Sequence, residues 1–105
     1  MASEETVLVH DILRYLRLRQ IPATRNQSGH LCIGGHWINL GEPGWPDIIG
    51  CLPGNGGRML AVECKRPGQK PTWEQERRMS ELAEAGALCV VAREIADIEK
   101  ALREA

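Results

Sequence analysis

Two carboxylates and one lysine have a spacing that lets them act together. Alternate residues of a β-strand face the same side, so in the stretch 58–65 the side chains of Glu63 and Lys65 share one face. Asp47 opens the preceding apolar stretch, and antiparallel pairing of the two stretches would bring its carboxylate near that of Glu63. Adjacent carboxylates repel unless a cation lies between them, and oxygen ligands with open water positions suit Mg²⁺ or Mn²⁺. The spacing therefore predicts a divalent metal site.

Glu5 and Gln75 occupy inward-facing positions of two predicted helices. Successive helical residues turn by about 100°, so Glu5 lies within about 20° of Ile12, in the apolar stripe of the first helix. Gln75 is in register with Met79 and Leu82 by the same arithmetic. Polar residues at positions that periodicity assigns to the core often mark functional sites. We therefore predict that both side chains support the metal site.

Each of these residues also has an ordinary structural explanation. Asp47 follows a proline and suits a turn, and Glu5 suits the first turn of a helix. Glu63 and Lys65 can pair as a salt bridge on an exposed sheet, and Gln75 completes a capping box. An α/β interaction domain with a satisfied buried polar network would also turn polar residues inward. The residues taken singly leave these interpretations open.

The elements that must position these residues follow from periodicity and turn signals. Helices are predicted over residues 4–19, 72–85 and 94–104, and an antiparallel hairpin of strands over 47–52 and 58–65. Short β-rich stretches precede this hairpin, and the apolar run 87–92 predicts a strand buried on both faces. The predicted fold class is α/β, with a central mixed β-sheet flanked by helices in the order α-β-β-β-β-α-β-α.

Length and composition limit the class of protein. The 105 residues fit one domain, 1–105, with the 43% hydrophobic and 26% charged fractions of a globular protein. The chain has neither a secretory signal nor an apolar run near the roughly 20 residues that cross a bilayer, so we expect a cytoplasmic protein. A net charge of −1 argues against a non-specific nucleic-acid coat protein, although an acid-free stretch with four arginines permits a basic face.

The cysteines and histidines suggest a second kind of metal site. Four scattered cysteines form no C-x-x-C pair and lie in apolar segments, so we expect them to be small core residues. The fragment His30-x-Cys32-x-x-x-His36 has soft ligands for zinc but lacks a second paired cluster, and simple strand packing is the alternative.

Taken together, the candidate residues resemble a nuclease superfamily. The segments Gly44-Trp45-Pro46-Asp47 and Val62-Glu63-Cys64-Lys65, with the Gly-rich turn between them and Gln75 after them, have the order and gaps of PD-(D/E)xK nucleases. Glu5 in an opening helix that ends in Arg14-Tyr15-Leu16-Arg17, followed by Arg25-Asn26-Gln27-Ser28-Gly29, narrows the likeness to the VRR-NUC family of virus-type replication-repair nucleases. Trp45 departs from the family pattern, which more often has a smaller residue before Pro-Asp.

The resemblance implies a restriction-endonuclease-like core and a metal-dependent DNA endonuclease. It further implies a homodimer of phage or bacterial origin that cuts branched DNA, such as Holliday junctions or flaps, in the bacterial cytoplasm. The implied catalytic set is Glu5, Asp47, Glu63, Lys65 and Gln75. Asp47, Glu63 and the backbone carbonyl of Cys64 would hold Mg²⁺ or Mn²⁺, and the implied substrate-facing residues are Arg25, Asn26 and Ser28. A catalytically inactive DNA-junction-binding module is the alternative function.

Overall fold

The computed structural model describes residues 3–27, 30–39 and 41–105, with His30 described by its backbone alone. The elements in chain order are helix α1 (Glu4–Leu18), strands β1 (Ala23–Arg25), β2 (His30–Ile33), β3 (His36–Asn39), β4 (Ile48–Leu52) and β5 (Arg58–Cys64), helix α2 (Trp73–Glu84), strand β6 (Leu88–Ala92) and helix α3 (Ile95–Glu104). A short 3₁₀ turn, Pro53–Asn55, which the sequence analysis did not anticipate, follows β4. None of the described helices is both long and apolar enough to span a membrane.

The central element is a mixed four-stranded sheet with the strand order β1-β4-β5-β6. Strand β4 pairs antiparallel with β5, and β6 pairs parallel with β5 after the crossover through α2. The predicted α/β class with a mixed sheet and flanking helices is therefore confirmed. Five strands precede α2, one more than the predicted order, and two of them, β2 and β3, pair with each other in a separate two-stranded hairpin.

The main core lies between the sheet and the two terminal helices. Helix α1 begins after Ser3, whose hydroxyl accepts a hydrogen bond from the backbone N–H of Thr6. Its buried residues recur every three or four positions, and α3 contributes Ile98 to the same cluster. Strand β6 turns Val90 into this cluster, whereas the neighbouring Cys89 contacts α2 through its thiol and the carbonyl of Met79. Helix α2 therefore covers the opposite face of the sheet.

The cysteines are less uniformly buried than we predicted. Cys64 is buried and Cys89 half-buried, whereas Cys51 and Cys32 are exposed. Cys51 alternates out of the core on a part of β4 that no described helix covers, and Cys32 lies on the exposed β2–β3 hairpin. Among the described residues, no group of three or more His, Cys, Asp or Glu side chains is arranged to hold a metal ion. The side chain of His30, the first residue of the predicted zinc fragment, lies outside the described part of the chain.

Candidate active site

Asp47 lies at the entrance to β4, directly beside the end of the central strand. Ile48 pairs with Val62 in the β4–β5 ladder, so the residue before Ile48 meets the last residues of β5. The Oδ2 atom of Asp47 accepts a hydrogen bond from the backbone N–H of Cys64 at 2.8 Å. The hairpin thus brings Asp47 to the Glu63–Lys65 segment, as strand pairing predicted.

Glu63 is a buried acid in the central strand. Its side chain is 1% exposed, and its Oε1 atom accepts a hydrogen bond from the Gln75 amide nitrogen at 3.1 Å. Its Oε2 atom is buried and has no hydrogen-bond partner among the described residues. Burial, followed by the adjacent Asp47 carboxylate, raises the pKa of Glu63 to about 9, and the positive charge of Lys65 opposes the shift.

This arrangement fits a hard divalent cation. An unpartnered buried carboxylate oxygen is costly, and a cation between Asp47 and Glu63 would satisfy that oxygen and offset the repulsion between the two groups. Mg²⁺ sites commonly use one or two carboxylates and complete their coordination with water and phosphate oxygens. Burial raises the pKa of the Cys64 thiol to about 12, so the thiol stays protonated and the backbone carbonyl is the donor that Cys64 has to offer.

The side-chain amide of Gln75 contacts both the start of α2 and the Glu63 carboxylate. Its backbone N–H donates to the Thr72 hydroxyl at 3.2 Å, and its Oε1 atom accepts from the Thr72 backbone N–H at 2.8 Å. This capping box orients the amide so that its nitrogen reaches Glu63. The structural and functional interpretations of Gln75 are therefore compatible.

Glu5 lies beside the carboxylate pair in a small pocket. It is half-buried while Glu4 is exposed, as the helical phase predicted. The negative charge of Glu5 contributes to the raised pKa of Glu63. Glu5 also lines a cavity of about 330 Å³ with Arg66 and Gln69. With the Gln69 amide oriented to satisfy both neighbours, its nitrogen donates to Glu5 at 2.7 Å and its oxygen accepts from Arg66 at 2.8 Å.

Lys65 continues from β5 on the same face as Glu63. Its backbone N–H donates to the carbonyl of Ala92 at 3.0 Å, which extends the parallel pairing with β6 by one residue. The side chain is half-buried, and its charge acts on Glu63. The effect of its charge on Glu63 is consistent with the shared face that strand alternation predicts.

The predicted substrate-facing residues occupy different environments. The backbone N–H of Asn26 donates to the carbonyl of Asp47 at 2.7 Å, and its side-chain nitrogen donates to the carbonyl of Pro46 at 3.1 Å. The Asn26 amide nitrogen is therefore used to hold the loop that carries Asp47. Arg25 is exposed on β1, and Ser28 lies outside the described residues.

Contacts that the sequence does not reveal hold the Asp47 loop against α2. A Cβ atom added to Gly44, whose φ is +95°, would lie 2.8 Å from the carbonyl oxygen of Glu74. The ring of Trp45 lies 4.5 Å from the guanidinium of Arg78, which is 17% exposed and pairs with Glu42 at 2.9 Å. This stack accounts for the large residue before Pro-Asp. The sequence shows the glycine at position 44, but it does not show that Glu74 of α2 packs against it.

Comparisons with known proteins agree with the fold. No protein-family model matches the chain. A solved structure named as a VRR_NUC domain aligns with a TM-score of 0.69 and 20% sequence identity over 97% of each chain. The curated protein "Putative nuclease p44" of Acyrthosiphon pisum secondary endosymbiont phage 1 is 39% identical over 62 residues, which cover 56% of this chain and 64% of that relative. The likeness to VRR-NUC proteins predicted from the motifs is confirmed at the level of the fold, since this chain has the fold of a VRR_NUC domain.

Proposed function

We propose that this protein is a metal-dependent nuclease that hydrolyses phosphodiester bonds in DNA. The observation that carries the proposal is the unpartnered, buried Oε2 atom of Glu63 beside the carboxylate of Asp47, with Lys65 on the same strand face. In its charged form this oxygen faces the Asp47 carboxylate without a donor from the described residues, and a cation between the two groups would relieve that repulsion. The fold likeness to a VRR_NUC domain and the name of the phage relative point to the same activity.

The side chains divide the work at this site. Asp47 and Glu63 would hold Mg²⁺ or Mn²⁺ through carboxylate oxygens, together with the carbonyl of Cys64. When bound, the ion would supply charge stabilisation for the scissile phosphate and lower the pKa of a water molecule. The Lys65 ammonium offsets negative charge on the phosphate and orients the attacking water. Gln75 donates to one oxygen of Glu63, which would leave the other oxygen to bind the ion.

The proposed substrate is branched DNA, such as a Holliday junction or a flap. The likeness to VRR-NUC nucleases supports this choice. Four exposed arginines in α1, directly after it and in β1 could donate hydrogen bonds to phosphate groups. They are Arg14, Arg17, Arg19 and Arg25. Glu5, half-buried beside the carboxylate pair, would reach the ion through water.

We also propose that the protein forms a homodimer, and two exposed apolar surfaces support this proposal. Leu31, Ile33 and Ile38 are exposed on one face of the β2–β3 hairpin. An open cavity of about 490 Å³, lined mainly by apolar groups of β1, β4 and β5, includes Ile49 and Met59. Packing the hairpin of one copy against the sheet of another would bury both surfaces.

Cleavage assays test the proposed activity. We expect the protein to cut four-way junction or flap DNA in Mn²⁺ or Mg²⁺ but not in EDTA. Asp47→Asn and Lys65→Met should each lower the cleavage rate by roughly 100-fold or more, because they remove a metal ligand and the phosphate-facing charge. Calorimetry should show that Asp47→Asn loses Mn²⁺ binding while Lys65→Met keeps it.

Matched variants control for charge changes in general. Asp11→Asn and Lys100→Met alter exposed residues of α1 and α3 and should leave cleavage and Mn²⁺ binding unchanged. Full cleavage by Asp47→Asn would contradict the proposed mechanism. Wild-type protein that neither binds Mn²⁺ nor cuts any of the DNA substrates would contradict the function itself.

A further inference from the structure

The first turn of α2 contacts both segments that hold the proposed metal ligands, the loop before Asp47 and strand β5. The backbone of Glu74 packs against Gly44, at the start of the loop that leads to Asp47. Gln75 donates to Glu63 from the same turn. Thr72 is the N-cap of the helix. Trp73 is the first residue of the same turn, directly before Glu74 and two residues before Gln75.

Trp73 is exposed at this position. Its side chain is 68% exposed, although burial of a tryptophan is among the largest apolar gains available to a protein. The guanidinium of Arg77 lies over its ring at 5.2 Å from the centroid, as is common for residues four apart on a helix. Arg77 holds one face of the ring, and the exposed fraction leaves the other face available.

Charge around Trp73 favours a polyanion as the partner. The segment 65–77 carries four basic residues, Lys65, Arg66, Lys70 and Arg77, against the two acids Glu74 and Glu76. Arg66 and Lys70 are exposed in the loop between the catalytic strand and Trp73. An aromatic ring flanked by lysine and arginine is the arrangement that binds single-stranded nucleic acid, because bases stack on the ring while phosphates meet the cations.

We propose that Trp73 stacks on an unpaired nucleobase of the DNA substrate, with the exposed Lys70 of the preceding loop available to meet a flanking phosphate. The proposal rests on the proposed nuclease function and adds a selection step to it. Stacking rewards a strand whose bases are already unpaired, because a duplex would first have to unstack a base. Stacking on Trp73 thereby favours DNA that contains unpaired nucleotides.

Binding measured by fluorescence anisotropy in EDTA separates this role from catalysis. The probes are a labelled single-stranded oligonucleotide and a blunt duplex of the same length. Trp73→Ala should weaken single-strand binding by about tenfold, and Trp73→Phe should keep most of it, because one base–aromatic stack is lost and then restored. Duplex binding should change by less than about twofold, since paired bases cannot reach the ring.

Trp37→Ala is the matched control, because Trp37 is a similarly exposed tryptophan, at 74%, on the β2–β3 hairpin. It should leave single-strand binding unchanged. A second readout uses the Trp37→Phe/Trp45→Phe variant, in which Trp73 is the remaining tryptophan of the three. Its fluorescence should be quenched when the single strand is added, since stacking brings a base into contact with the indole.

Each outcome distinguishes the two proposals. Unchanged single-strand binding by Trp73→Ala, or an equal loss in Trp37→Ala, would overturn the stacking role while leaving nuclease activity intact. Binding that depends on Trp73 in a protein that cuts no DNA would overturn the nuclease function and leave the stacking role standing. Equal losses for single-strand and duplex DNA would show a general contact and contradict selection for unpaired bases.

Discussion

At the scale of single residues, Glu63 carries the most chemical information. An acid in the middle of a buried strand loses its hydration, so its charged form is unfavourable unless a cation or donor compensates. Gln75 compensates one oxygen and leaves the other unpartnered within the described residues. The same carboxylate is therefore a cost to the metal-free fold and a ligand for a metal ion.

The metal-free protein should lose stability as pH rises. Burial raises the pKa of Glu63 from 4.5 to about 9, so the folded protein keeps a proton there that the unfolded chain releases. Its stabilising contribution is complete below about pH 4.5 and is lost as pH rises through about 9, by roughly 1 kcal/mol per pH unit. Glu63→Gln should remove this dependence and be the more stable protein above neutral pH.

Urea denaturation in EDTA at several pH values between 5 and 9 measures this difference. Glu99→Gln, an exposed change on α3, should keep the wild-type pH profile. Parallel profiles for wild type and Glu63→Gln would show that the proton is not held at Glu63.

At the scale of elements, the start of α2 contacts the segments that hold both Asp47 and Glu63. Its capping box orients Gln75 toward β5, and its backbone at Glu74 packs against Gly44 of the Asp47 loop. One helical turn thus contacts both the loop that carries Asp47 and the strand that carries Glu63. Mutations in this turn should separate helix stability from site geometry.

Thr72→Ala should lower stability more than activity. The variant loses the hydroxyl that accepts from the Gln75 backbone N–H, which costs about 1 kcal/mol in unfolding free energy. The Thr72 backbone still donates to the Gln75 amide, so the contact with Glu63 remains and cleavage should change little. Gln75→Leu removes that contact and should lower cleavage by about 10-fold or more. Equal activities of the two variants, in a cleavage assay, would contradict a role for the amide.

Gly44→Ala should disturb the site through the backbone. The added Cβ would meet the Glu74 carbonyl at 2.8 Å in a conformation with positive φ, so the loop must shift and the unfolding free energy should fall by about 2 kcal/mol or more. Gly57→Ala has a similar φ of +81° with no atom near its Cβ, and should cost about 1 kcal/mol.

Thermal denaturation and Mn²⁺ calorimetry compare these two glycine variants. Displacement of Asp47 should weaken Mn²⁺ binding in Gly44→Ala and leave it unchanged in Gly57→Ala. Equal Mn²⁺ affinities would mean that the Asp47 loop holds its position without the α2 contact.

At the scale of the whole molecule, the three helices cover the sheet unevenly. Helices α1 and α3 bury one face, whereas α2 covers only part of the other and leaves β1 and β4 open. The apolar hairpin of β2 and β3 is exposed on the same chain. These unpartnered surfaces are the physical support for a dimer.

The double variant Leu31→Ser/Ile38→Ser should reduce the mass in solution. Light scattering should give about twice the 11.7 kDa chain mass for wild type and the single-chain mass for the variant, because the paired apolar side chains of one hairpin face are removed. Trp37→Ser changes the opposite face of the hairpin and should leave the mass unchanged. Wild-type protein at 11.7 kDa would contradict the dimer.

The sequence by itself determined the features that depend on local periodicity. Strand alternation joins Glu63 to Lys65, helical phase separates half-buried Glu5 from exposed Glu4, and the capping box locates Gln75. These patterns repeat over two to four residues, so a linear chain displays them directly. The pairing of β4 with β5 was also predictable, because a Gly-rich turn joins two apolar strands.

Only the tertiary structure decided which distant residues meet. It assigned Asn26 to the Asp47 loop, brought Gly44 against Glu74, and separated the β2–β3 hairpin from the main sheet. It also left Cys51 exposed in an apolar strand, because no described helix covers that part of the face. Such contacts join segments that are far apart in the chain and depend on how neighbouring elements pack, which no local period encodes.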